Sequence, residues 1–198
     1  MKKTIVTILA IMLFLSAVPV FAQNYYEKGN TFFTVKAGVS VPGFAKFLNN
    51  SDYGTKTLPD EMHTKIGGYG SLSYQAFTNP QLAVGGEIGY GFNYTQSDKI
   101  LTTVPMAVKF SFLPVQNGKF DFAIHTDLGM TYNRYNETKF IMPFASITLN
   151  PTVYIGNNWG LGLDAGLWAN FELHSNKLKD DNAIAGFIPV TLAITYRK

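Results

Sequence analysis

Apolar and polar residues alternate over long stretches of this chain, most clearly over residues 186–196. Every second residue from Gly186 onward is glycine, aliphatic or tyrosine, and the residues between them carry the threonines and alanine of this stretch. A period of two is the pattern of a β-strand with two different faces. The stretch is longer than the usual strand of about five or six residues. Its length suits a strand that crosses a membrane within a barrel, which takes about 9–11 residues.

The same alternation recurs along the chain and predicts eight strands. The predicted strands are 31–41, 66–77, 82–94, 101–113, 119–132, 140–155, 159–173 and 186–196. Pro42 is expected to end the first strand. In the sixth, Phe140, Met142 and Phe144 break the parity, which predicts a β-bulge. Short turns alternate with longer polar loops, the longest over residues 42–65, as an up-and-down barrel requires.

The apolar face must point either to lipid or, in a soluble lipocalin-like barrel, to the interior. The polar face holds mainly Gly, Ala, Ser, Thr and Asn, which suit the crowded interior of an eight-stranded barrel. Aromatic residues of the apolar face gather at the strand ends, as in the two girdles of a membrane barrel. The expected girdles are Phe33, Tyr74, Phe110, Phe112, Phe120, Phe122, Trp159 and Tyr196 on the periplasmic side, and Tyr90, Phe92, Tyr94, Tyr132 and Phe171 on the outer side.

This pattern resembles the eight-stranded outer-membrane barrel proteins, the class of the OmpA membrane domain, OmpX and OmpW, over residues 31–196. The resemblance implies an all-β, antiparallel, up-and-down transmembrane β-barrel of eight strands. It also implies contact with outer-membrane lipid and with the outer-membrane assembly machinery, because in this class the final strand is an assembly signal that ends in an aromatic residue. Tyr196 matches that position, although Arg197 and Lys198 follow it. No periplasmic peptidoglycan-binding domain is expected after them.

The N-terminal segment predicts export. Two lysines follow the initial methionine, residues 4–18 are almost uninterruptedly apolar, and a small-residue cleavage pattern ends at Ala22. We therefore expect a signal peptide over residues 1–22, cleavage before Gln23, and a barrel domain over residues 23–198 in the outer membrane. The alternative is a retained transmembrane helix, for which the apolar run is short.

Composition narrows the function classes. Removing residues 1–22 takes away two lysines and leaves 14 basic and 13 acidic side chains, so nucleic-acid binding has no support. Charged residues make up 15% of the chain, against about 25% in soluble domains. The chain has no cysteine, which excludes disulfides and lipidation at an N-terminal cysteine. His63, His125 and His174 lack metal-ligand spacing, and no cofactor is predicted.

Six charged or titratable residues have inward parity and are expected to form a polar network inside the barrel. They are Lys36, Glu87, Lys109, His125, Asp127 and Asp164. Isolated charges in a narrow interior are costly, so these side chains should pair. Glu87 and Lys109 are expected to face each other directly, in a hairpin centred on residue 98. We interpret the network as filling of the barrel, and a gated ion path is the alternative.

The function expected from these features is a structural or surface-interaction role through the extracellular loops, without enzymatic activity. Loop 42–65 contains aromatic and aliphatic residues among Asn and Lys, so it is a candidate contact for a surface partner or lipid headgroups, or else a solvated cap. A narrow channel for ions or small solutes is the first alternative. His174-Ser175-Asn176 is similar to the His-x-Ser-Asn stretch of eight-stranded lipid A deacylases but lacks the spacer, so a lipid-modifying enzyme is the weaker alternative.

Overall fold

A computed structural model describes residues 24–48, 55–56, 64–95, 99–173 and 182–198. The expected signal peptide, its cleavage site at Ala22 and Gln23, and the His174-Ser175-Asn176 stretch lie outside these residues. His63 also lies outside them. In the described part of the chain, no helix has the length and apolar character needed to cross a membrane.

Long antiparallel strands, each paired with its neighbours in sequence, close into one barrel. The elements are a short 3-10 turn at Asn24–Tyr26, then β1 Thr31–Phe47, β2 Thr55–Lys56, β3 Gly67–Asn79, β4 Leu82–Tyr94, β5 Ile100–Gln116, β6 Phe120–Tyr135, β7 Thr138–Ile155, β8 Trp159–Glu172 and β9 Ala183–Arg197. The two-residue β2 pairs with the far end of β1, and β9 pairs back with β1 to complete the ring. The predicted all-β, eight-stranded up-and-down barrel is confirmed.

The two ends of the barrel differ. The turns at residues 80–81, 117–119 and 156–158 lie at one end together with both termini of the barrel, here called the short-turn end. The opposite ends of the strands, at Phe47, Gly67, Tyr94, Ile100, Tyr135, Thr138, Glu172 and Ala183, lie at the other end, here called the loop end. This arrangement follows from an even number of strands joined only to their neighbours.

The apolar face of every long strand points away from the barrel axis. In β9, for example, Leu192 and Ile194 are exposed, whereas Thr191 and Ala193 are buried. The thirteen expected girdle residues all lie on the outward face: seven are exposed and six are half-buried, and none is buried. The outside of the barrel is thus an apolar surface, and the inside holds most of the buried polar side chains.

Several connections are shorter than predicted because strands continue past apparent stop signals. Pro42 does not end β1: the strand runs on to Phe47, and its register against β9 shifts between Pro42 and Phe44. The bulge follows the proline directly: Pro42 still pairs with Phe187, and Gly43 is the extra residue before pairing resumes at Phe44. The loop predicted from residue 42 therefore begins at Leu48. Near residue 136, β6 and β7 extend to a two-residue turn in which Asn136 has a φ of 57°.

The predicted bulge in the sixth strand is wrong. β6 and β7 pair without a register shift from Phe120 opposite Val153 to Tyr135 opposite Thr138. Met142 and Phe144 are buried and share the inward parity of the polar residues that follow them. Their apolar side chains face the interior because this part of the interior is itself apolar, with Phe144 packed against Trp168.

Glycine is required at position 85 by the close approach of neighbouring backbone. A Cβ there would lie 2.6 Å from the Cα of Gln75 and in overlap with the carbonyl oxygen of Tyr74. At the next residue, Gly86, which points outward, the nearest atom to an added Cβ is a carbonyl oxygen at 3.6 Å. The two glycines are therefore a matched pair on one strand.

Gly85→Ala is expected to lower the free energy of unfolding by about 1–3 kcal/mol, because the backbone must shift to relieve the overlap. Gly86→Ala should change it by less than about 0.5 kcal/mol. Urea titration of the refolded barrel in detergent micelles, followed by tryptophan fluorescence, measures both. Equal effects of the two substitutions would contradict this packing argument.

Candidate functional site: the barrel interior

The six inward-facing polar residues predicted from parity come together in one layer, called here the charged layer. Lys36 comes from β1, Glu87 from β4, Lys109 from β5, His125 and Asp127 from β6, and Asp164 from β8. All six side chains are buried. Each residue lies about five to seven positions from the short-turn end of its strand. The barrel therefore brings all six to a similar depth.

Ion pairs link five of these side chains in a continuous chain across the barrel. The Nζ of Lys36 lies 3.1 Å from Oδ2 of Asp164 and 3.4 Å from Oε2 of Glu87. The Nζ of Lys109 lies 2.9 Å from the same Glu87 oxygen and 3.0 Å from Oδ1 of Asp127. Each lysine therefore bridges two carboxylates, and Glu87 bridges both lysines. Such mutual pairing offsets the desolvation cost that an isolated buried charge would carry.

Hydroxyl groups complete the coordination of the three carboxylates. Tyr69 donates to Oε1 of Glu87 at 2.9 Å. Ser146 donates to Oδ2 of Asp127 at 2.6 Å, and Thr148 donates to Oδ2 of Asp164 at 3.1 Å. Two lysines therefore pair with three carboxylates. The hydroxyl donors stabilise the negative charge that the lysines do not neutralise.

The register predicted for Glu87 and Lys109 is wrong by two residues. Lys109 is directly opposite Gly85 on one side and Asp127 on the other, and Glu87 is directly opposite Ala107. The two side chains meet diagonally instead, which their length allows. Parity could not detect this error because a shift of two residues keeps every side chain on the same face.

His125 joins the charged layer to neutral polar groups nearer the short-turn end. Its Nε2 lies 3.8 Å from Oδ2 of Asp164, and its Nδ1 is 2.6 Å from the hydroxyl oxygen of Ser111. Ser111 also exchanges hydrogen bonds with the side-chain amide of Gln75. Among the residues that the structure describes, no group of three or more His, Cys, Asp or Glu side chains is arranged to hold a metal ion.

On the loop side of the charged layer lies a group of interior aromatic rings, which were not among the predicted site residues. Trp168 is at its centre, with ring centroids 5.3 Å from Tyr69, 5.5 Å from Phe144 and 6.3 Å from Phe187. A Cβ at Gly89 would lie 3.1 Å from the hydroxyl oxygen of Tyr69, so the absence of a side chain there leaves room for the tyrosine. Gly91 is directly opposite Tyr69, and Gly89 is the next inward residue on β4. Two inward glycines across from an inward tyrosine were the available sequence signal.

At the short-turn end the segment before β1 and the last residues of β9 close the interior. Arg197 is completely buried and stacks its guanidinium over the rings of Tyr154, at 3.5 Å, and Tyr25, at 4.1 Å. It donates hydrogen bonds to the hydroxyl of Tyr26 and to the carbonyls of Gly118 and Asn157. We call Tyr25, Tyr26, Asp121, Tyr154 and Arg197 the terminal clasp.

Tyr26 connects the clasp to the rest of the interior. Its hydroxyl donates to Oδ1 of Asp121 at 2.6 Å, and its ring packs against Phe32 and Phe77. Burial, together with the adjacent Asp121 carboxylate, raises the pKa of Tyr26 well above its usual range. The hydroxyl therefore stays protonated at neutral pH, so it can donate to Asp121 and accept from Arg197. Arg197 shares the inward parity of Thr195, which was the sequence signal for this role.

Two small cavities lie between these layers. A cavity of about 10 Å³ adjoins Lys36, Asp164 and Trp168, and another of about 10 Å³ lies between Phe32 and His125. Each has room for about one water molecule. The terminal clasp, the charged layer and the aromatic rings thus occupy successive levels of the described interior.

Comparison with known proteins agrees with this architecture. A protein-family model matches residues 16–196, which is most of the chain. Because the match covers more than half of the chain, the chain belongs to the family that this model defines. An uncharacterized protein of Borreliella burgdorferi is 25% identical over 195 residues, covering 88% of this chain and 86% of the relative.

The solved structure of Neisserial surface protein A (NspA) matches 85% of this chain and 99% of its own, with a TM-score of 0.56 and 11% identity. The chain has the fold of the small eight-stranded outer-membrane barrels. Ail, the attachment invasion locus protein of Yersinia pestis, matches 86% of this chain and 99% of its own, with a TM-score of 0.49 and 12% identity.

Proposed function

We propose that this chain is an integral outer-membrane protein whose barrel is closed to solutes and which acts through the surface at its loop end. The observation that carries the proposal is the ion-paired layer across the barrel, in which Lys36 and Lys109 both contact Glu87. A solute passing through would have to separate these buried pairs, and removing one partner of such a pair costs several kcal/mol. The proposed role is structural or interactive, and it involves no catalysis.

Location and partners form part of the same proposal. Residues 1–22 would direct export, with cleavage between Ala22 and Gln23, and the outer-membrane assembly machinery would insert the barrel into outer-membrane lipid. The apolar outward face supports a lipid surrounding, because such a surface is stable only when covered. Since β1 continues to Phe47, contact with a surface partner through the loop 42–65 would come mainly from residues 48–65.

The closed barrel is tested by conductance in planar lipid bilayers. We expect no steady channels from the wild-type barrel or from Glu87→Gln and Asp164→Asn, because the neighbouring side chains still fill the interior. A general porin inserted in the same bilayer is the positive control, and heat-dependent migration on gels verifies folding of each barrel. Steady conductance whose ion selectivity shifts in either variant would establish the alternative function, a narrow channel.

A further inference from the structure

Two basic side chains face each other at the loop end of the outward surface. Arg134, near the end of β6, is directly opposite Lys139, near the start of β7. Both are exposed and have the outward parity of the lipid-facing residues Tyr132 and Ile141, which form the next outward pair on the same two strands. The basic pair therefore lies immediately beyond the apolar band.

This pair is unfavourable for the barrel alone. Directly opposed side chains have Cβ atoms about 5 Å apart, and like charges at that spacing repel. Among the described residues no carboxylate forms an ion pair with either side chain, including Glu137 in the turn that joins the strands. An anion bound between them would convert the repulsion into attraction.

The neighbouring groups suit a phosphate. Thr102 on β5 is directly opposite Arg134, so a hydroxyl, a guanidinium and an ammonium lie in one row across three strands. The Nε of Arg134 donates to the carbonyl of Asn136 at 3.3 Å, which orients the guanidinium and leaves its terminal N–H groups available. Guanidinium and ammonium groups are the usual partners of phosphate oxygens.

We propose that Thr102, Arg134 and Lys139 bind the phosphate of an anionic lipid headgroup in the leaflet at the loop end. The proposal rests on the proposed function for placing the barrel in a membrane. The lipid source follows from position: the row comes directly after Tyr132 and Ile141 toward the loop end, and Tyr132 belongs to the expected outer aromatic girdle, which lies at headgroup level in membrane barrels. A lipid held there can cover Ile141, which is 64% exposed, with its acyl chain.

Lipid binding to the membrane barrel is measured by native mass spectrometry, with phosphatidylglycerol and phosphatidylcholine as probes. The test variant is R134Q/K139Q, and the matched control, K28Q/K119Q, removes two exposed lysines at the short-turn end. Each basic residue near an anionic surface contributes roughly fivefold to affinity at low salt. We expect the dissociation constant for the first phosphatidylglycerol to rise at least about fivefold in R134Q/K139Q. The control should match wild type, and phosphatidylcholine binding should not change.

Stability provides a second readout that a merely structural role would not reproduce. In zwitterionic micelles R134Q/K139Q should unfold at the same or a higher urea concentration than wild type, because repulsion is removed. With phosphatidylglycerol present it should unfold at a lower concentration than wild type, because the bound lipid is lost. The same sign in both micelles, or equal phosphatidylglycerol affinity in all three proteins, would overturn the proposal.

Inorganic phosphate distinguishes the source of the anion. Displacement of phosphatidylglycerol by an equal concentration of inorganic phosphate would show a general anion site and overturn the lipid assignment, whereas retention supports it. Conductance of the same preparation is recorded in parallel. A conducting barrel would contradict the proposed function without affecting the lipid comparison, so the two failures are distinguishable.

Discussion

Lys109→Met is expected to lower the free energy of unfolding by about 3–5 kcal/mol, one of the two largest effects predicted for this barrel. Lys109 is 1% exposed and holds both Glu87 and Asp127 at hydrogen-bond distance. Its removal leaves Asp127 without a cation and leaves Glu87 dependent on Lys36 alone, in an interior where water has little room. The urea midpoint of the refolded barrel in detergent micelles measures the loss. Lys119→Met, at an exposed turn position, is the control and should have little effect.

Double-mutant cycles then separate the two partners. Asp127 is the direct cross-strand neighbour of Lys109, and Glu87 is its diagonal neighbour. Lys109→Met combined with Asp127→Asn should cost about 1–3 kcal/mol less than the sum of the single changes, and the same sign is expected with Glu87→Gln. Strict additivity in both cycles would show that the lysine does not interact with either acid.

Arg197→Met is expected to cost about 3 kcal/mol, because hydrogen bonds to a buried charged group contribute about 1.5–3 kcal/mol each and part of this is offset by the apolar replacement. The change removes the donors to Tyr26, Gly118 and Asn157 and the stacking on Tyr154. Arg197→Lys should recover less than half of the loss, since an ammonium cannot reproduce the planar fork. Lys198→Met is the matched control, because Lys198 is the exposed neighbour.

Limited proteolysis gives a readout specific to the terminal clasp. In Arg197→Met the segment around Tyr25 and Tyr26 should be released from the mouth, so chymotrypsin should cleave there faster while the strands remain protected. The Lys198→Met barrel should be cleaved at the wild-type rate. If all three barrels are equally resistant and equally stable, Arg197 does not hold the N-terminal segment.

The direction of the side chains could be predicted from sequence because a membrane barrel applies one rule to every strand. Apolar residues such as Leu192 and polar residues such as Thr191 must alternate when one side contacts lipid and the other a narrow interior. The membership of the charged layer followed from the same rule, since burial forces Lys36, Lys109 and the three acids to pair wherever their strands bring them to one depth.

The parts that could not be predicted depend on packing between distant strands. Phe144 looks like a break in parity because the neighbouring sequence does not indicate that its ring packs against Trp168 inside the barrel. The register of Glu87 and Lys109 depends on how the β4–β5 hairpin turns, and parity is insensitive to a shift of two. The sequence shows Arg197 only as a residue that follows the terminal aromatic Tyr196. Its structural role could not be predicted, because its partner Tyr26 lies 171 residues away in sequence.

The closing seam of the barrel also bears on where the chain needs to begin. Thr31 and Lys198 exchange both of their backbone hydrogen bonds at 3.0 Å, as two residues within a hairpin would. The hydrogen-bond ladders between the eight long strands therefore form a closed ring in which no strand is intrinsically the first. A circular permutant cut at another turn would keep the same strand pairs. The terminal clasp breaks this cyclic equivalence. Because residues 25–30 precede β1 and enter the mouth, a permutant that joined Lys198 to this segment would need a linker long enough to leave Tyr26 beside Arg197.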